Sequence, residues 1–422
     1  MAAPRAKALG PGGGAPSSFV VAGLALFTFV VVTTRLGVAE AGIMVALLGL
    51  LMRPRQLRFP APFWWAMALV AWAFITAPWA LTPAIAQATA IDRLKVFAVF
   101  LVVINTLRTE RYLRLYILFI LACFALFPLR GTIANYLSGY TLFGRAIWNQ
   151  AYANPNDLGG MSLLVLGLSI AVVANRLERG VLRWMAAACA AGLVGIILLT
   201  QSRGVFIGLI VGLGPSAFSM ARRRPKVLLT LVLFGVVGAA FVPSAVWTRL
   251  SGIGQLASTS TIAQADPEGS ASQRWEIQKT AFRVFQDHPV AGIGLGCYPL
   301  ANKLYSPVLG LRDTHDTYLN LAAELGLPGL LLWLALITSV FRHWWRARAA
   351  AMHAAVQGGG YPACAVWIER VIIGFLVSAV FGSYSGITML YLLLGILWCA
   401  ASLVLESPAL STVPSARAPG LR

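Results

Sequence analysis

The chain has 422 residues, of which 59% are hydrophobic and 11% charged, and its mean hydropathy is +0.77. Soluble domains carry about 25% charged residues, so this composition excludes a soluble globular protein and points to a polytopic membrane protein. The formal charge of +19 would suit a nucleic-acid binder, but the charge gathers in alternate short loops between apolar runs, which argues against that class.

The N-terminal residues 1–16 are rich in Gly and Pro and read as a disordered cytoplasmic segment. The apolar run after them has no convincing cleavage site and is taken as a first transmembrane helix. Twelve spans are predicted, at 17–34, 36–52, 61–79, 85–106, 112–130, 157–175, 182–200, 204–221, 226–243, 316–341, 366–383 and 385–405. About 20 residues of helix cross the ~30 Å hydrocarbon layer, and a helix satisfies its own backbone polar groups there. The expected fold is therefore all-α, with about twelve transmembrane helices. Helices 1–9 fill residues 17–243, a long loop and helical segment fills 244–315, helices 10–12 fill 316–405, and a tail fills 406–422.

Orientation follows from the basic loops "RPRQLR" (53–58), "RTERYLR" (108–114), "NRLERGVLR" (175–183), "RRRPK" (222–226) and "RHWWRARAAAMHAA" (342–355). These mark the cytoplasmic side, which also receives both termini, so 131–156 and 244–315 face the periplasm. Within the second of these, "SQRWEIQKTAFRVFQDHP" (272–289) reads as an amphipathic helix with Trp275, Ala281 or Phe282, and Phe285 on its apolar face, ended by Pro289. The glycine-rich turn "VAGIGLGCYPL" follows. Cys123, Cys189, Cys297, Cys364 and Cys399 show no paired spacing, so neither a disulfide framework nor a zinc site is expected.

Basic residues on the outer side run against the loop bias, and each asks for a reason. Arg203 sits in a tight hairpin, "LLTQSRGVFIGL". Its guanidinium suits bidentate contact with phosphate oxygens, or else it anchors on lipid headgroups. Arg274 begins the amphipathic helix, where it either binds an anion or lies on a solvated face. "NPND" (154–157) reads as a turn and helix N-cap, with Arg145 nearby as a further phosphate candidate. Asp92 and Lys95 are spaced to pair on one helix face. "DPE" (266–268) has the spacing of a two-carboxylate metal site but reads as a solvated turn. No metal site and no cofactor are expected.

The stretch "RDTHDTYLNLAAELGLPGLLLWL" places His315 at the mouth of the tenth span, with Thr314 as its expected N-cap. A helix N-terminus favours an anion and disfavours a protonated imidazole, which keeps His315 able to accept a proton. Asp313 and Asp316 pull the other way, so the sign of the shift stays open. The alternative is a polar histidine at the membrane interface. Tyr318 shares the face of His315, and Tyr318 and Asp316 are further candidate substrate contacts. Glu324 falls roughly 180° away and a dozen ångströms deeper, so it is expected to bond between helices.

The blocks "QSRGVFIG" (201–208), "QRWEIQKTAFRVFQDHPVAGIGLGCY" (273–298) and "HDTYLNLAAELGLPGL" (315–330), in that order, resemble the O-antigen ligase and polymerase family of bacterial membrane glycosyltransferases. The family usually has Asn after the histidine, where this chain has Asp316. The resemblance implies a GT-C-like inner-membrane enzyme. It would transfer glycan from undecaprenyl diphosphate to a sugar hydroxyl of lipid A–core oligosaccharide, at the periplasmic face and without a metal. It implies that His315 is the base and that Arg203 and Arg274 hold the diphosphate. The alternatives are an O-antigen polymerase and, less expected, a protein O-oligosaccharyltransferase or a transporter of the same lipid-linked glycan. The oligosaccharyltransferase often carries an added domain towards the C-terminus. The transporter would show broken helices in corresponding halves and charges near the bilayer midplane, and the sequence shows neither.

Overall fold

In a computed structural model, residues 16–223, 270–356 and 360–406 are described. Local sequence sets where the helices start. Ser17 accepts from Val20 N and opens α1 (Ser18–Thr33). Helices α2 (Ala39–Leu51), α3 (Ala61–Thr76) and α4 (Pro83–Thr106) follow, the last with Pro83 in its first turn. Thr109 caps α5 (Glu110–Phe124) by accepting from Tyr112 N. Pro128 has no N–H to donate, and the helix widens into a π turn over Ala125–Leu129 before α6 (Arg130–Leu137). Asn154 caps α7 (Pro155–Ala174), as the "NPND" reading expects, with Pro155 preset at its first position. Then come α8 (Gly180–Thr200), α9 (Arg203–Arg223), α10 (Ser270–Asp287), α11 (Tyr298–Tyr305), α12 (Thr317–Val356), α13 (Ala365–Ser378) and α14 (Thr388–Leu405). Among the described residues there is no strand, only an isolated bridge between Leu142 and Arg145.

Seven helices are long and apolar enough to cross a membrane: Ala61–Trp79, Glu110–Leu137, Pro155–Ala174, Gly180–Thr200, Thr317–Ala351, Tyr361–Phe381 and Thr388–Leu405. Ser18–Thr33, Ala39–Leu51 and Arg203–Ser219 are shorter apolar helices. Three charges, Asp92, Arg93 and Lys95, interrupt α4. The predicted ninth span (226–243), the "DPE" turn and both chain ends lie outside the described residues. The main core runs through α1–α9 and α12–α14, with Phe97, Trp333, Trp344 and Tyr391 fully enclosed.

The basic loops meet one another at one end of the bundle. Arg58 Nη1 lies 2.7 Å from Glu406 Oε1, and Arg114 Nε lies 2.6 Å from Glu178 Oε1. The Tyr361 hydroxyl also donates to Glu178, and its amide to Glu110.

Two expectations change on folding. The predicted amphipathic helix forms as α10, but its inward stripe is Ile277, Ala281 and Val284, while Trp275 and Phe282 are exposed. That stripe packs with Ala77, Ala86, Ile293, Tyr298, Ala301 and Ala323 into a second small core. The tenth span is also broken. At Gly326 the backbone turns to φ 68°, ψ −175°, inside what would otherwise be one helix. A break strands backbone groups that must find partners, and the glycine-rich turn supplies them. Ile293 N donates to Ala323 O (3.0 Å) and Gly294 N to Glu324 O (2.9 Å). Trp72 Nε1 donates to Leu325 O (2.8 Å), and Leu327 N donates to Pro289 O (2.8 Å). The Glu324 carboxylate accepts from Tyr298 N at 3.0 Å, an inter-element bond as expected. A Cβ at Gly326 would lie 2.0 Å from Val290 O, and one at Gly292 (φ 68°) 2.3 Å from Glu324 O. Both positions need glycine for conformation and for room.

Gly326→Ala is therefore expected to cost about 3 kcal/mol. Gly195→Ala, which meets nothing within 4 Å, should be neutral or stabilise by about 0.5–1 kcal/mol. Thermal unfolding of the two variants in detergent checks this. Equal stability would show that the joint does not require the break.

Candidate active site

The three family-like blocks meet at the end of the bundle away from the basic loops. Two clamps bring them together. In the first, Thr317 at the start of α12 donates from Oγ1 to Gly382 O (2.6 Å) and accepts from Tyr384 N (2.7 Å). Thr314 Oγ1 lies 3.1 Å from Ser383 Oγ. The buried Tyr384 hydroxyl reaches on to Asn156 O at 3.1 Å, tying the start of α7 to the start of α12. Arg203 begins α9, and the next residue, Gly204, lies against Phe381, just before this turn. The N-terminal ends of α7, α9 and α12 thus gather around Gly382–Tyr384. Each such end concentrates free N–H groups and partial positive charge.

The second clamp holds Arg145. Its Nε donates to Thr200 O (2.8 Å), the last carbonyl of α8, and its Nη2 to Asn156 Oδ1 (2.9 Å). Gln201 Nε2 donates to Gly144 O, and Ala146 N to Leu199 O. Arg145 therefore closes the end of α8 against the start of α7, on the approach to Arg203.

His315 occupies the left-handed region at φ 52°, which His adopts more readily than most residues but still at a cost. It is half-buried. Burial pushes its pKa below the ordinary 6.5; the positive charges of Arg274 and Arg312 push the same way, and Asp313 opposes them. The sign left open by sequence is thus settled towards the neutral imidazole, a form able to take a proton. It also places Arg274, from the second turn of α10, within electrostatic reach of His315. Arg274 and Arg145 both act on Tyr384 as well.

Asp316 has a defined task. Its Oδ1 accepts from Tyr318 N (2.9 Å) and Leu319 N (3.0 Å), so it is the N-cap of α12, where sequence suggested Thr314. The Thr314 hydroxyl is engaged instead with Asp313 and Ser383. Asp and Asn cap about equally well, so Asp316 can stand where an Asn is usual. Tyr318 lies against the bundle: its hydroxyl donates to Leu376 O at 2.8 Å and its ring meets Trp333 edge-on. These contacts give Asp316 and Tyr318 structural roles.

Sequence reading passed over Asp157, Asn156 and Tyr384. Asp157 lies in the first turn of α7, half-buried, within electrostatic reach of Asp313 and Tyr384. The signal available was the "NPND" motif itself, which reads as a turn. Among the described residues no group of three or more His, Cys, Asp or Glu could hold a metal ion.

Two outcomes follow from this geometry. The unfolded chain takes up a proton at His315 near pH 6.5, and the folded chain only at lower pH. Folding stability is then full above about pH 6.5 and falls as pH drops below it. The unfolding midpoint of wild type minus that of His315→Asn, followed from pH 8 to pH 5, should shrink on acidification; a flat difference would contradict the shift. Asp316→Ala should cost about 1 kcal/mol and Asp316→Asn almost nothing, as read by the same melts.

Residues 187–334 match the family model described as O-antigen ligase. An O-antigen ligase of Pseudomonas aeruginosa is 28% identical over 155 residues, which cover 36% of this chain and 33% of that protein. The match therefore spans about a third of the relative's length. Arg203, Arg274 and His315 all fall inside the segment matched by the family model. Over that segment the chain is similar to O-antigen ligases.

Proposed function

We propose that the protein is an O-antigen ligase of the bacterial inner membrane. It would move O-antigen polysaccharide from undecaprenyl diphosphate to a sugar hydroxyl of lipid A–core oligosaccharide. The observation that carries this reading is a half-buried histidine at the capped start of α12, whose pKa burial and the charge of Arg274 push down, within a segment that matches the O-antigen ligase model. Both termini and the basic loops would face the cytoplasm by the loop-charge rule. Residues 244–315 and the site would face the periplasm, where both lipid-linked substrates carry their glycans.

In the reaction, the acceptor hydroxyl attacks the anomeric carbon of the donor sugar. His315 takes the hydroxyl proton as the new C–O bond forms. The bond from the anomeric carbon to the phosphate oxygen breaks, the electron pair leaves with undecaprenyl diphosphate, and the configuration inverts. Negative charge grows on the departing diphosphate, and Arg203 and Arg274 stabilise it with bidentate hydrogen bonds, aided by the helix N-termini around Gly382–Tyr384. With the diphosphate charge carried in this way, the reaction needs no metal. Arg145 would hold the end of α8 so that Arg203 is presented correctly. Asp316 and Tyr318, engaged in the helix cap and the packing, would support the site from behind.

The test is transfer in vitro from undecaprenyl-diphosphate glycan to lipopolysaccharide core, with EDTA present. His315→Ala should lower the rate about 10²–10⁴-fold, and Arg203→Ala or Arg274→Ala about 10²–10³-fold, with unfolding midpoints unchanged within a few degrees. Full activity in His315→Ala, or a strict need for a divalent ion, would overturn the mechanism. Glycan attached to core lipid supports the ligase reading, whereas lengthened lipid-linked glycan would make the protein a polymerase.

A further inference from the structure

A second polar site lies far from His315. Helices α9 and α13 cross backbone to backbone at Gly208 and Gly374. Beside this crossing is a cavity of about 400 Å³, lined by Ser216 and Ser219 of α9, Trp345 and Arg348 of α12, and Glu369 and Arg370 of α13. It lies about 30 Å along α12 from the break at Gly326, at the end that carries the basic loops. Its volume is in the range of small-molecule sites.

The charges in this cavity are incompletely matched. Glu369 is only 3% exposed. Its Oε1 accepts from Trp345 Nε1 at 3.0 Å. Its Oε2 lies 3.4 Å from Arg348 Nε but accepts no hydrogen bond among the described residues. Arg370 stacks over Trp367, its guanidinium carbon 4.5 Å from the ring centroid, and hydrogen-bonds to none of the described residues. A buried carboxylate oxygen without a donor is costly. It asks for an N–H or an ammonium. Arginine donors left unused in the same cavity ask for a phosphate. The rim is apolar and open, with Val211 42%, Trp345 52% and Ile373 36% exposed. Such a rim suits acyl chains and argues for a lipid over a free solute.

We propose that this cavity binds the headgroup of an aminophospholipid, with the phosphodiester on Arg348 and Arg370 and the primary ammonium on Glu369. The recognition is by chemistry. Phosphatidylcholine offers the same phosphate and the same charge but no N–H to Glu369. Phosphatidylglycerol offers a phosphate and hydroxyls but no cation to balance the carboxylate. The site is independent of glycan transfer and rests on none of the residues assigned to it.

The experiment uses the purified full chain in detergent, with each lipid added in turn, and native mass spectrometry to count the lipid retained. Wild type should retain phosphatidylethanolamine about tenfold more strongly than phosphatidylcholine, the size expected for one hydrogen bond to a charged group. It should also retain it above phosphatidylglycerol. Glu369→Gln should bring ethanolamine and choline lipids to parity, since its amide oxygen still accepts from Trp345 and the fold contact remains. Arg370→Gln should weaken both lipids. The wild-type ranking needs no variant, so a misfolded mutant does not remove the test. Equal retention of the ethanolamine and choline lipids, a preference for phosphatidylglycerol, or an ethanolamine preference that survives Glu369→Gln would each overturn the proposal. So would displacement of the bound lipid by water-soluble glycerophosphoethanolamine at equal concentration, since the ligand would then be a solute.

Discussion

The exchange of hydrogen bonds between the broken helix α12 and the glycine-rich turn before α11 is the joint on which the site depends. Helix α10 runs directly into that turn. When Ile293 and Gly294 donate to Ala323 and Glu324, and Leu327 donates back to Pro289, α10 and the first turns of α12 become one unit. Arg274 belongs to α10 and His315 lies one residue before the cap of α12, so backbone bonds hold together the elements that carry them. That is the kind of support a reacting group needs, because loss of about an ångström in placement is costly to catalysis. The Ile277, Ala281 and Val284 stripe adds apolar contact behind the joint.

The other side of the site is fixed by a different device. Tyr384 links Thr317 to Asn156, and Arg145 links Asn156 to the end of α8. One contiguous set of hydrogen bonds therefore runs from the cap of α12 through the turn after α13 to the hairpin that carries Arg203. Each half of the site is rigid for its own reason, and they share one element, the start of α12. It is the element whose amide groups Asp316 caps, and its residue before the cap is the left-handed His315. A capped helix start and a strained neighbour are a workable pair: the cap gives back what the φ 52° residue costs.

How much of this was legible in the sequence follows from the range of each signal. Arg203, Arg274 and His315 stand out as candidates because charge beside long apolar runs is conspicuous, but local context leaves a lipid-anchoring or interface role open for each, and only the resemblance of the surrounding blocks singles them out. The fold class could be read because hydropathy sums over whole spans. The cap was misassigned to Thr314 because Thr and Asp are both good caps two residues apart, and only the tertiary bond from Thr314 to Ser383 decides between them. The inward stripe of α10 was read only in part: Ala281, one of the two alternatives, is buried, whereas the large aromatics Trp275 and Phe282 outweighed the smaller Ile277 and Val284. The space against α12 and α11 admits only the small set. Tyr384 carried no local signal at all, and Asn156 carried only that of a turn, since their roles exist only where distant segments meet. The break at Gly326 did have one. "LGLPG" sets a proline two residues after a glycine, and a proline inside a helical pattern commonly marks an end or a kink. The surrounding apolar run concealed it.

An interior charge also lies against the same joint. Asp92 and Lys95 are spaced to pair, and Arg93 lies between them. In the fold they separate: Lys95 pairs outward with Asp92 and with Glu40, while Arg93 turns inward against Gly386, in reach of Tyr391 and of Glu324. Glu324 is the residue that accepts from Tyr298 to close the glycine-rich turn. A carboxylate buried there without a nearby cation would oppose the joint it fastens. Arg93, from α4, is a cation within electrostatic reach of it, and one of its own nitrogens is buried without a hydrogen bond among the described residues. Arg93 thus brings a third helix, α4, up to the framework that holds His315.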